Sequence, residues 1–311
     1  MRIVFMGTPL FAVPSLSRLL GDGHDVAAVV TRPDKPRGRG RQMAPSPVKV
    51  LAVEKKLNVL QPAKVNDNEP LQAIAALDPE LIIVVAFGAI LRKPLLELPS
   101  VGCINVHASL LPELRGAAPA NWAIIRGQKE TGVTTMWMAE KLDAGDIIFQ
   151  SRVPIHDEET ASELEGRLAA AGSELLSSTL KAVEKGEAPR IPQDDSLSTY
   201  APALKKEDGV IDWGLDAAAL CNHIRGVTLW PGAQTTFRGE PLKFLKARVF
   251  ETEGVHEPAS VLRVNQDGSL AVGTGRGSVL VVTIQPSGKK AMSAVDFARG
   301  RQLRAGQSFG T

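Results

Sequence analysis

The sequence predicts an α/β chain in two parts, a doubly wound and mostly parallel sheet followed by a small β-barrel. Apolar segments alternate with helical segments over the first half of the chain, whereas strand patterns follow one another over the last third. A polar stretch punctuated by prolines separates the two regions. With 311 residues, the chain is also long enough for two domains of roughly 150 residues each.

The first part begins with a strand, a helix and a second strand. Residues 2–6 are apolar, residues 14–20 have helical spacing, and residues 25–30 are apolar again. Such a unit buries its apolar faces as a parallel pair joined by a right-handed crossover. The pattern continues with strands at 81–87, 103–106 and 132–138, and with helices after Ser46, near 117–126 and after the capping box Thr160–Glu163. This order predicts a Rossmann-like first domain.

The second part is predicted to be OB-like. We place the first domain at 1–189, a linker at 190–206 and the second domain at 207–311, because Pro189, Pro192 and Pro202 punctuate the polar stretch. Strands are predicted at 233–237, 242–250, 261–264, 270–273 and 279–284, and short helices after Asp216 and Ser293. Several short strands within so few residues are typical of a small barrel.

The composition excludes several classes of protein. With 44% hydrophobic and 23% charged residues, the chain is neither disordered, collagen-like nor a coiled coil. Its longest apolar stretch, 81–91, is shorter than the roughly 20 residues of a membrane-spanning helix. The N-terminus has no targeting pattern, so we expect a cytoplasmic protein without a membrane segment. Two cysteines cannot build a disulfide framework or a usual zinc site, and we expect no metal.

The small net charge of +2 conceals two basic segments. Residues 32–49 carry six basic side chains against one acidic, and residues 286–305 carry five against one. Such patches permit binding to a polyanion, although exposed basic loops are also common without one.

A group of polar side chains is predicted to converge at one edge of the sheet. Asn105 and His107 are two residues apart at the end of a strand, so both point to the same face. Open α/β sheets bind ligands beyond the carboxyl ends of their strands. Asp143 follows the next strand along the chain. Each of these residues alone is more often a structural feature of a turn.

Together the three residue types suit the attack of an amine on a carbonyl carbon. An Asn amide and a protonated His can stabilise the oxyanion of a tetrahedral intermediate. A carboxylate can orient the His or accept the proton that the amine loses.

Three motifs resemble the 10-formyltetrahydrofolate-dependent formyltransferases. They are Asn105-Val-His107-Ala-Ser-Leu-Leu-Pro112, Arg115-Gly-Ala-Ala-Pro119 and Leu142-Asp-Ala-Gly-Asp146. The resemblance implies that Asn105, His107 and Asp143 are the catalytic residues and that 10-formyltetrahydrofolate is the formyl donor. It also implies folate contacts from two loops, at Phe87, Gly88, Ile90, Leu91, Ser109, Leu110, Leu111 and Pro112.

The whole chain is most similar to the branch of that family that formylates methionine on initiator tRNA. Segments 5–9, 32–40, 230–232 and 288–293 carry this similarity beyond the catalytic motifs. It implies transfer of a formyl group to the α-amino group of initiator methionyl-tRNA by a monomer. The implied tRNA contacts are Arg37, Arg39 and Arg41 in the basic loop, Lys205 and Lys206 in the linker, and Lys289 and Lys290 near the C-terminus.

Three alternatives remain at this point. A formyltransferase acting on a small amine, such as phosphoribosylglycinamide or an amino-sugar nucleotide, would share the catalytic residues but would leave the second domain and the basic loop without a purpose. A non-catalytic RNA-binding protein could reuse the fold and would tolerate changes at Asn105. A hydrolase could release formate from the same folate, because water can replace the amine.

Overall fold

The computed structural model describes residues 1–37, 42–265 and 269–310, apart from the side chain of Arg37. They form two compact units. Unit 1 comprises Met1–Pro119, Glu130–Pro154 and Glu165–Pro202, and unit 2 comprises Ala120–Lys129, Ile155–Leu164 and Ala203–Thr311. This division differs from the predicted boundaries at two places. Two short segments of the N-terminal half join unit 2, and residues 190–202 join unit 1 instead of forming a separate linker.

The strands are β1 (Arg2–Gly7), β2 (Asp25–Val30), β3 (Lys35–Arg37), β4 (Gln42–Ala44), β5 (Val59–Leu60), β6 (Leu81–Val85), β7 (Gly102–His107), β8 (Arg115–Gly116), β9 (Glu130–Trp137), β10 (Ile147–Pro154), β11 (Tyr200–Ala201), β12 (Ala233–Phe237), β13 (Glu240–Glu251), β14 (Val261–Val264), β15 (Leu270–Gly273), β16 (Ser278–Pro286) and β17 (Met292–Ser293). The α-helices are α1 (Val13–Gly21), α2 (Pro47–Glu54), α3 (Asn68–Ala75), α4 (Lys93–Leu96), α5 (Pro119–Ile125), α6 (Ala161–Glu184), α7 (Ala217–Gly226) and α8 (Ala294–Arg301). Single 3-10 turns lie at Leu10–Ala12, Asp195–Leu197 and Glu207–Gly209.

Polar side chains begin several helices where the sequence predicts them. Ser46 Oγ accepts a hydrogen bond from Lys49 N at 3.1 Å, and Thr160 and Glu163 form the reciprocal capping box. Asp216 caps α7 and Ser293 caps α8 in the same way. Each cap satisfies amide groups that the first helical turn leaves without partners.

The sheet of unit 1 has the strand order β10-β9-β7-β6-β1-β2-β5. The five strands from β7 to β5 are parallel, whereas β9 is antiparallel to β7 and β10 to β9. The prediction of a mostly parallel, doubly wound sheet is therefore confirmed. The chain runs outward from β1 to β5 and then returns to β6 on the other side of β1. This reversal opens a crevice at the carboxyl ends of β1 and β6, where sheets of this type bind ligands.

Helices cover both faces of this sheet. Val4 and Met6 of β1 pack in a core that includes Ile74 of α3 and Leu95 of α4. On the opposite face, Thr135 of β9 shares a hydrogen bond of 2.8 Å with Thr179 of α6. All five residues of β6 are buried, as expected for a parallel strand covered on both sides.

Cys103 is buried and Cys221 is half-buried. Burial raises the pKa of the Cys103 thiol to about 12, and burial does the same for Cys221 against the opposing charge of Arg225. Because the thiolate is the reactive form, we expect both thiols to react slowly with dithionitrobenzoate in the native protein and rapidly in denaturant. Rapid release of chromophore from the folded protein would contradict this prediction.

Unit 2 is built around an antiparallel sheet in the order β12-β13-β16-β15-β14, with β17 also pairing with β16. Its inner face packs Leu242 and Phe244 against α7 and α8, and the rings of Phe244 and Phe309 meet edge to face at 5.2 Å. The predicted strand-rich second domain is thus confirmed as an antiparallel sheet, and closure into an OB-like barrel stays a prediction. No helix among the described residues is long and apolar enough to cross a membrane.

Candidate active site

Asn105 and His107 lie at the carboxyl end of β7, where the sequence predicts them. β7 pairs with β6 on one side and β9 on the other, so both residues are held within the sheet. Their side chains point to the face that also carries Cys103. Asn105 is 8% exposed and His107 is 6% exposed. The site is therefore a sheltered one, in which charges interact more strongly than in water.

The ring of His107 is held in one orientation by a backbone carbonyl. Its Nε2 lies 3.0 Å from Leu114 O. A carbonyl oxygen can only accept, so Nε2 carries the proton in the neutral ring. The other nitrogen, Nδ1, is then unprotonated and faces Asp143 Oδ2 at 3.8 Å. The ring of His107 therefore presents Nδ1 to the carboxylate.

Asp143 is held in an uncommon backbone conformation. Its φ is +49°, in the left-handed region that side chains other than glycine adopt rarely. Its Oδ2 accepts a hydrogen bond of 2.9 Å from Gly116 N. Such a conformation persists where the surrounding structure imposes it, and such residues cluster at functional sites. Here it directs the carboxylate toward His107.

Gly116 allows the approach that this hydrogen bond requires. Its φ is +122°, and a Cβ atom at this position would lie 2.5 Å from Ala201 O. Any side chain at residue 116 would displace either β11 or the amide that holds Asp143.

The amide of Asn105 has no hydrogen-bond partner within the part of the chain that the structure describes. Its polar atoms are still reached by solvent, so the NH₂ group is available to donate to a bound ligand. A substrate oxygen placed beside Asn105 would supply the missing acceptor for its NH₂ group.

The loop after β6 lies at the crevice of the sheet. Thr8 Oγ1 donates to Phe87 O at 3.1 Å, and Asn66 Nδ2 donates to Ile90 O at 2.8 Å. Phe87 and Leu91 are buried and anchor the loop in the core. Gly88 and Ile90 are exposed, with Ile90 at 63%. Of the four predicted folate contacts in this loop, two thus anchor it and two are free to touch a ligand.

The turn at residues 109–112 is fixed by side chains of the neighbouring strands. Thr134 Oγ1 donates to Ser109 O at 2.7 Å, and Gln150 Nε2 donates to Leu111 O at 2.8 Å. Ser109 is fully buried and its hydroxyl donates to Glu113 O, so its side chain shapes the turn. Leu111 is buried, whereas Leu110 and Pro112 are half-buried at the surface of the turn.

The predicted tRNA contacts of unit 2 flank one face of its sheet. Gln234, Lys243 and Gln285 are paired neighbours on β12, β13 and β16, and they point away from the core. Gln234 Nε2 donates to Lys206 O at 3.1 Å, and Gln285 Nε2 donates to Lys289 O at 3.0 Å. Lys205, Lys206, Lys289 and Lys290 are all exposed. We name this surface the lysine face.

The basic loop is described only in part. The backbone of Arg37 pairs with Gln42 in the β3–β4 ladder. The predictions for Arg39 and Arg41 lie outside the described residues. Among the residues that are described, no group of three or more His, Cys, Asp or Glu is arranged to hold a metal ion.

Gln193 lies in the predicted linker and was not among the site residues predicted from the sequence. Its Nε2 donates to Asp143 O at 2.9 Å and to Gly145 O at 2.7 Å, and its Oε1 accepts from the buried Arg115. A polar stretch with prolines has no periodicity that would reveal such contacts, and no local signal singles Gln193 out.

Comparison with known proteins agrees with this architecture. Residues 1–180 match the Formyl transferase family, and residues 203–302 match the Formyl transferase C-terminal domain. The methionyl-tRNA formyltransferase of Moorella thermoacetica is 49% identical over 310 residues, covering 100% of this chain and 99% of that protein. That of Geobacter sulfurreducens is 47% identical, covering 100% and 97%.

Two solved structures share the fold at lower identity. HypX from Aquifex aeolicus in complex with tetrahydrofolic acid has a TM-score of 0.63 at 18% identity, covering 99% of this chain and 48% of HypX. The N-formyltransferase of Helicobacter canadensis, in complex with folinic acid and dTDP-3-aminofucose, has a TM-score of 0.69 at 17% identity, covering 91% and 98%. On the strength of the full-length relatives and both domain matches, the chain belongs to the methionyl-tRNA formyltransferase family of formyl transferases.

Proposed function

We propose that this protein transfers the formyl group of 10-formyltetrahydrofolate to the α-amino group of methionine on initiator methionyl-tRNA. The product is N-formylmethionyl-tRNA, which serves translation initiation. The observation that carries the proposal is the meeting of His107 Nδ1 and the Asp143 carboxylate, 3.8 Å apart, with Asn105 on the same face of β7 as His107. The full-length relatives support the choice of acceptor.

The reaction forms a bond between the amine nitrogen and the formyl carbon and breaks the bond from that carbon to N10 of the folate. An α-amino group has a pKa of roughly 8, so a useful fraction is neutral and nucleophilic near pH 7. Attack produces an oxyanion, which the Asn105 NH₂ and a proton on His107 Nδ1 stabilise. The amine gives up one proton and N10 gains one. Asp143 assists the removal, and His107 passes the proton to the leaving nitrogen.

The folate is proposed to lie along the loop after β6 and the turn at residues 109–112. The backbone of residues 86–90 is fixed by Thr8 and Asn66 and leaves Gly88 and Ile90 exposed, which suits a flat ring system with polar edges. Phe87, Leu91, Ser109 and Leu111 hold these loops in place from below, and Leu110 and Pro112 border the site. In the HypX structure the bound molecule is tetrahydrofolic acid, which fits this proposal.

The tRNA is proposed to contact the lysine face and the basic loop with Arg37, Arg39 and Arg41. Exposed lysines contribute affinity that depends on salt and carry little sequence information. The three catalytic side chains come from one chain, so the proposed acting form is a monomer. The proposed location is the cytoplasm, where charged initiator tRNA is found.

The test is formyl transfer from 10-formyltetrahydrofolate by the purified protein. Initiator methionyl-tRNA, phosphoribosylglycinamide and a reaction without acceptor are compared at two salt concentrations. Transfer to the tRNA alone, weakened by salt, supports the proposal. Transfer to the small amine alone, or release of formate without acceptor, would instead establish one of the alternative activities. Binding of RNA with no turnover at all would favour the non-catalytic alternative.

The lysine face makes a separate prediction. The double variant Lys289→Ala with Lys290→Ala should raise KM for the tRNA several-fold and leave KM for the folate unchanged, because two phosphate contacts are lost. The slope of log affinity against log salt should become shallower by about one for each contact removed. The matched control is Lys181→Ala, in the last turn of α6, with Lys185→Ala just after the helix, which removes the same charge from unit 1. Equal effects of the two double variants would show that general charge matters and that the lysine face does not.

A further inference from the structure

The segment from residue 189 to residue 202 lies against the loop that carries Asp143. We call it the strap. Trp137 Nε1 donates to Pro189 O at 3.1 Å, and Ile191 pairs with Ile147 through two backbone hydrogen bonds. Further along, β11 pairs in parallel with β8. The strap therefore crosses both backbone segments that position Asp143, namely its own loop and the strand that contains Gly116.

The side chain of Gln193 connects the strap to the loop that carries Asp143. Its NH₂ group donates to the carbonyl oxygens of Asp143 and Gly145, at 2.9 and 2.7 Å. Its Oε1 accepts from Arg115 Nε at 3.1 Å and from Nη2 at 2.7 Å. Both ends of the amide are thus used, which fixes its orientation.

Arg115, which donates to the Oε1 atom of Gln193, is itself held in place by burial and by an ion pair. The side chain of Arg115 is 8% exposed and forms an ion pair with Asp195 of the strap at 2.8 Å. Asp195 also contacts Lys141, at the beginning of the Asp143 loop. The buried guanidinium holds Gln193 in place, and Gln193 in turn holds the two carbonyl groups.

We propose that Gln193 is a positioning residue for the reaction, because it sets the backbone of Asp143 and thereby the direction of its carboxylate. The carbonyl and the side chain of Asp143 leave the same Cα, so a hydrogen bond that fixes the carbonyl also fixes the ψ angle. The left-handed φ of +49° is a strained conformation, which would relax without an external restraint. A small displacement of a catalytic group is enough to reduce turnover by up to about 100-fold.

A second interpretation assigns Gln193 a purely structural task, which is to satisfy the buried Arg115. The two interpretations differ for Gln193→Glu. A glutamate would still accept from Arg115, with an added charge attraction. It could no longer donate to the carbonyls of Asp143 and Gly145 and would face their oxygens with a carboxylate. The structural interpretation expects a normal enzyme, and the positioning role expects an impaired one.

The inference rests on the proposed function and is tested in the full-length protein by formyl transfer to initiator methionyl-tRNA. Gln193→Glu and Gln193→Met should each lower kcat about 10- to 100-fold, with KM for folate and for tRNA unchanged. The control is Ser196→Ala, which removes an exposed hydrogen bond to Asp194 in the same strap and should keep the wild-type kcat. Thermal unfolding of each variant is measured alongside.

A double-mutant cycle shows whether Gln193 acts through Asp143. In the Asp143→Asn background, Gln193→Glu should cause almost no further loss, because the charge it positions is already absent. Wild-type kcat in Gln193→Glu, or losses that multiply fully in the cycle, would overturn the inference.

If both Gln193 variants fail to fold, Lys141→Ala decides, because it removes an exposed ion pair between the strap and the loop that carries Asp143. A drop in kcat at constant KM supports the inference, and an unchanged kcat overturns it. Absence of transfer by the wild-type protein would contradict the proposed function instead.

Discussion

His107→Ala is expected to lower kcat for formyl transfer by about 10³- to 10⁴-fold, whereas 10-formyltetrahydrofolate still binds. The substitution removes the only proposed group that both stabilises the oxyanion and passes a proton to the leaving nitrogen. A loss of this size corresponds to about 4 to 5.5 kcal/mol of transition-state stabilisation. Folate binding should survive, because the loop after β6 is held by Thr8 and Asn66 and by none of the catalytic side chains.

Single-turnover formyl transfer and calorimetric folate binding measure the two halves of this prediction. His156→Ala is the matched control, because that imidazole is exposed in unit 2. A variant at His107 that keeps more than a tenth of the wild-type kcat would remove this residue from the mechanism. Loss of folate binding together with turnover would instead indicate a folding defect at the end of β7.

Asp143→Asn is expected to lower kcat by about 10²- to 10³-fold with little change in either KM. An asparagine oxygen can still accept from Gly116 N, so the loop should keep its shape. What disappears is the negative charge 3.8 Å from His107 Nδ1, and with it the assistance in removing the proton from the amine. The loss therefore belongs to the chemical step and should appear fully in single-turnover rates.

Glu140→Gln provides the control for Asp143→Asn, because it removes an equal charge from an exposed position in the same loop. Its kcat should match that of the wild type. If the two substitutions slow the reaction equally, the general electrostatic field of the loop is responsible, and no particular role belongs to Asp143.

Much of the fold could be predicted from local sequence patterns. The strands at 25–30, 233–237, 261–264 and 270–273 have the bounds that their apolar and β-branched residues predict. The residues of a strand do not indicate, however, whether it pairs parallel or antiparallel with its neighbour. The pattern at 132–138 predicted a strand, and only the structure shows that β9 runs antiparallel to β7.

The site residues also differ in how far local sequence patterns can place them. Asn105 and His107 could be placed on one face because they belong to one strand with a period of two. The strand pattern also places Asp143 after the next strand along the chain. Its approach to 3.8 Å from His107 could not be predicted, because it depends on the left-handed φ of a loop residue. The role of Gln193 could not be predicted from the sequence at all. Its five hydrogen bonds, one of them to the sulfur of Met136, join residues separated by 48 to 78 positions. Nothing in a polar, proline-containing segment indicates such long-range contacts.

The parallel pairing of β8 with β11 has a consequence for any attempt to exchange domains between such proteins. Arg115 N donates to Thr199 O, and Ala117 N donates to Ala201 O, so the chain completes the surroundings of Asp143 only after it has left α6. A chimera joined at residue 189 would take its strap from the other parent, and with it the residue that faces Arg115. A junction placed after Pro202 keeps strand, strap and carboxylate from one parent. The segment that must come from one parent therefore extends to Pro202, beyond the alternating strands and helices that end with α6 at Glu184.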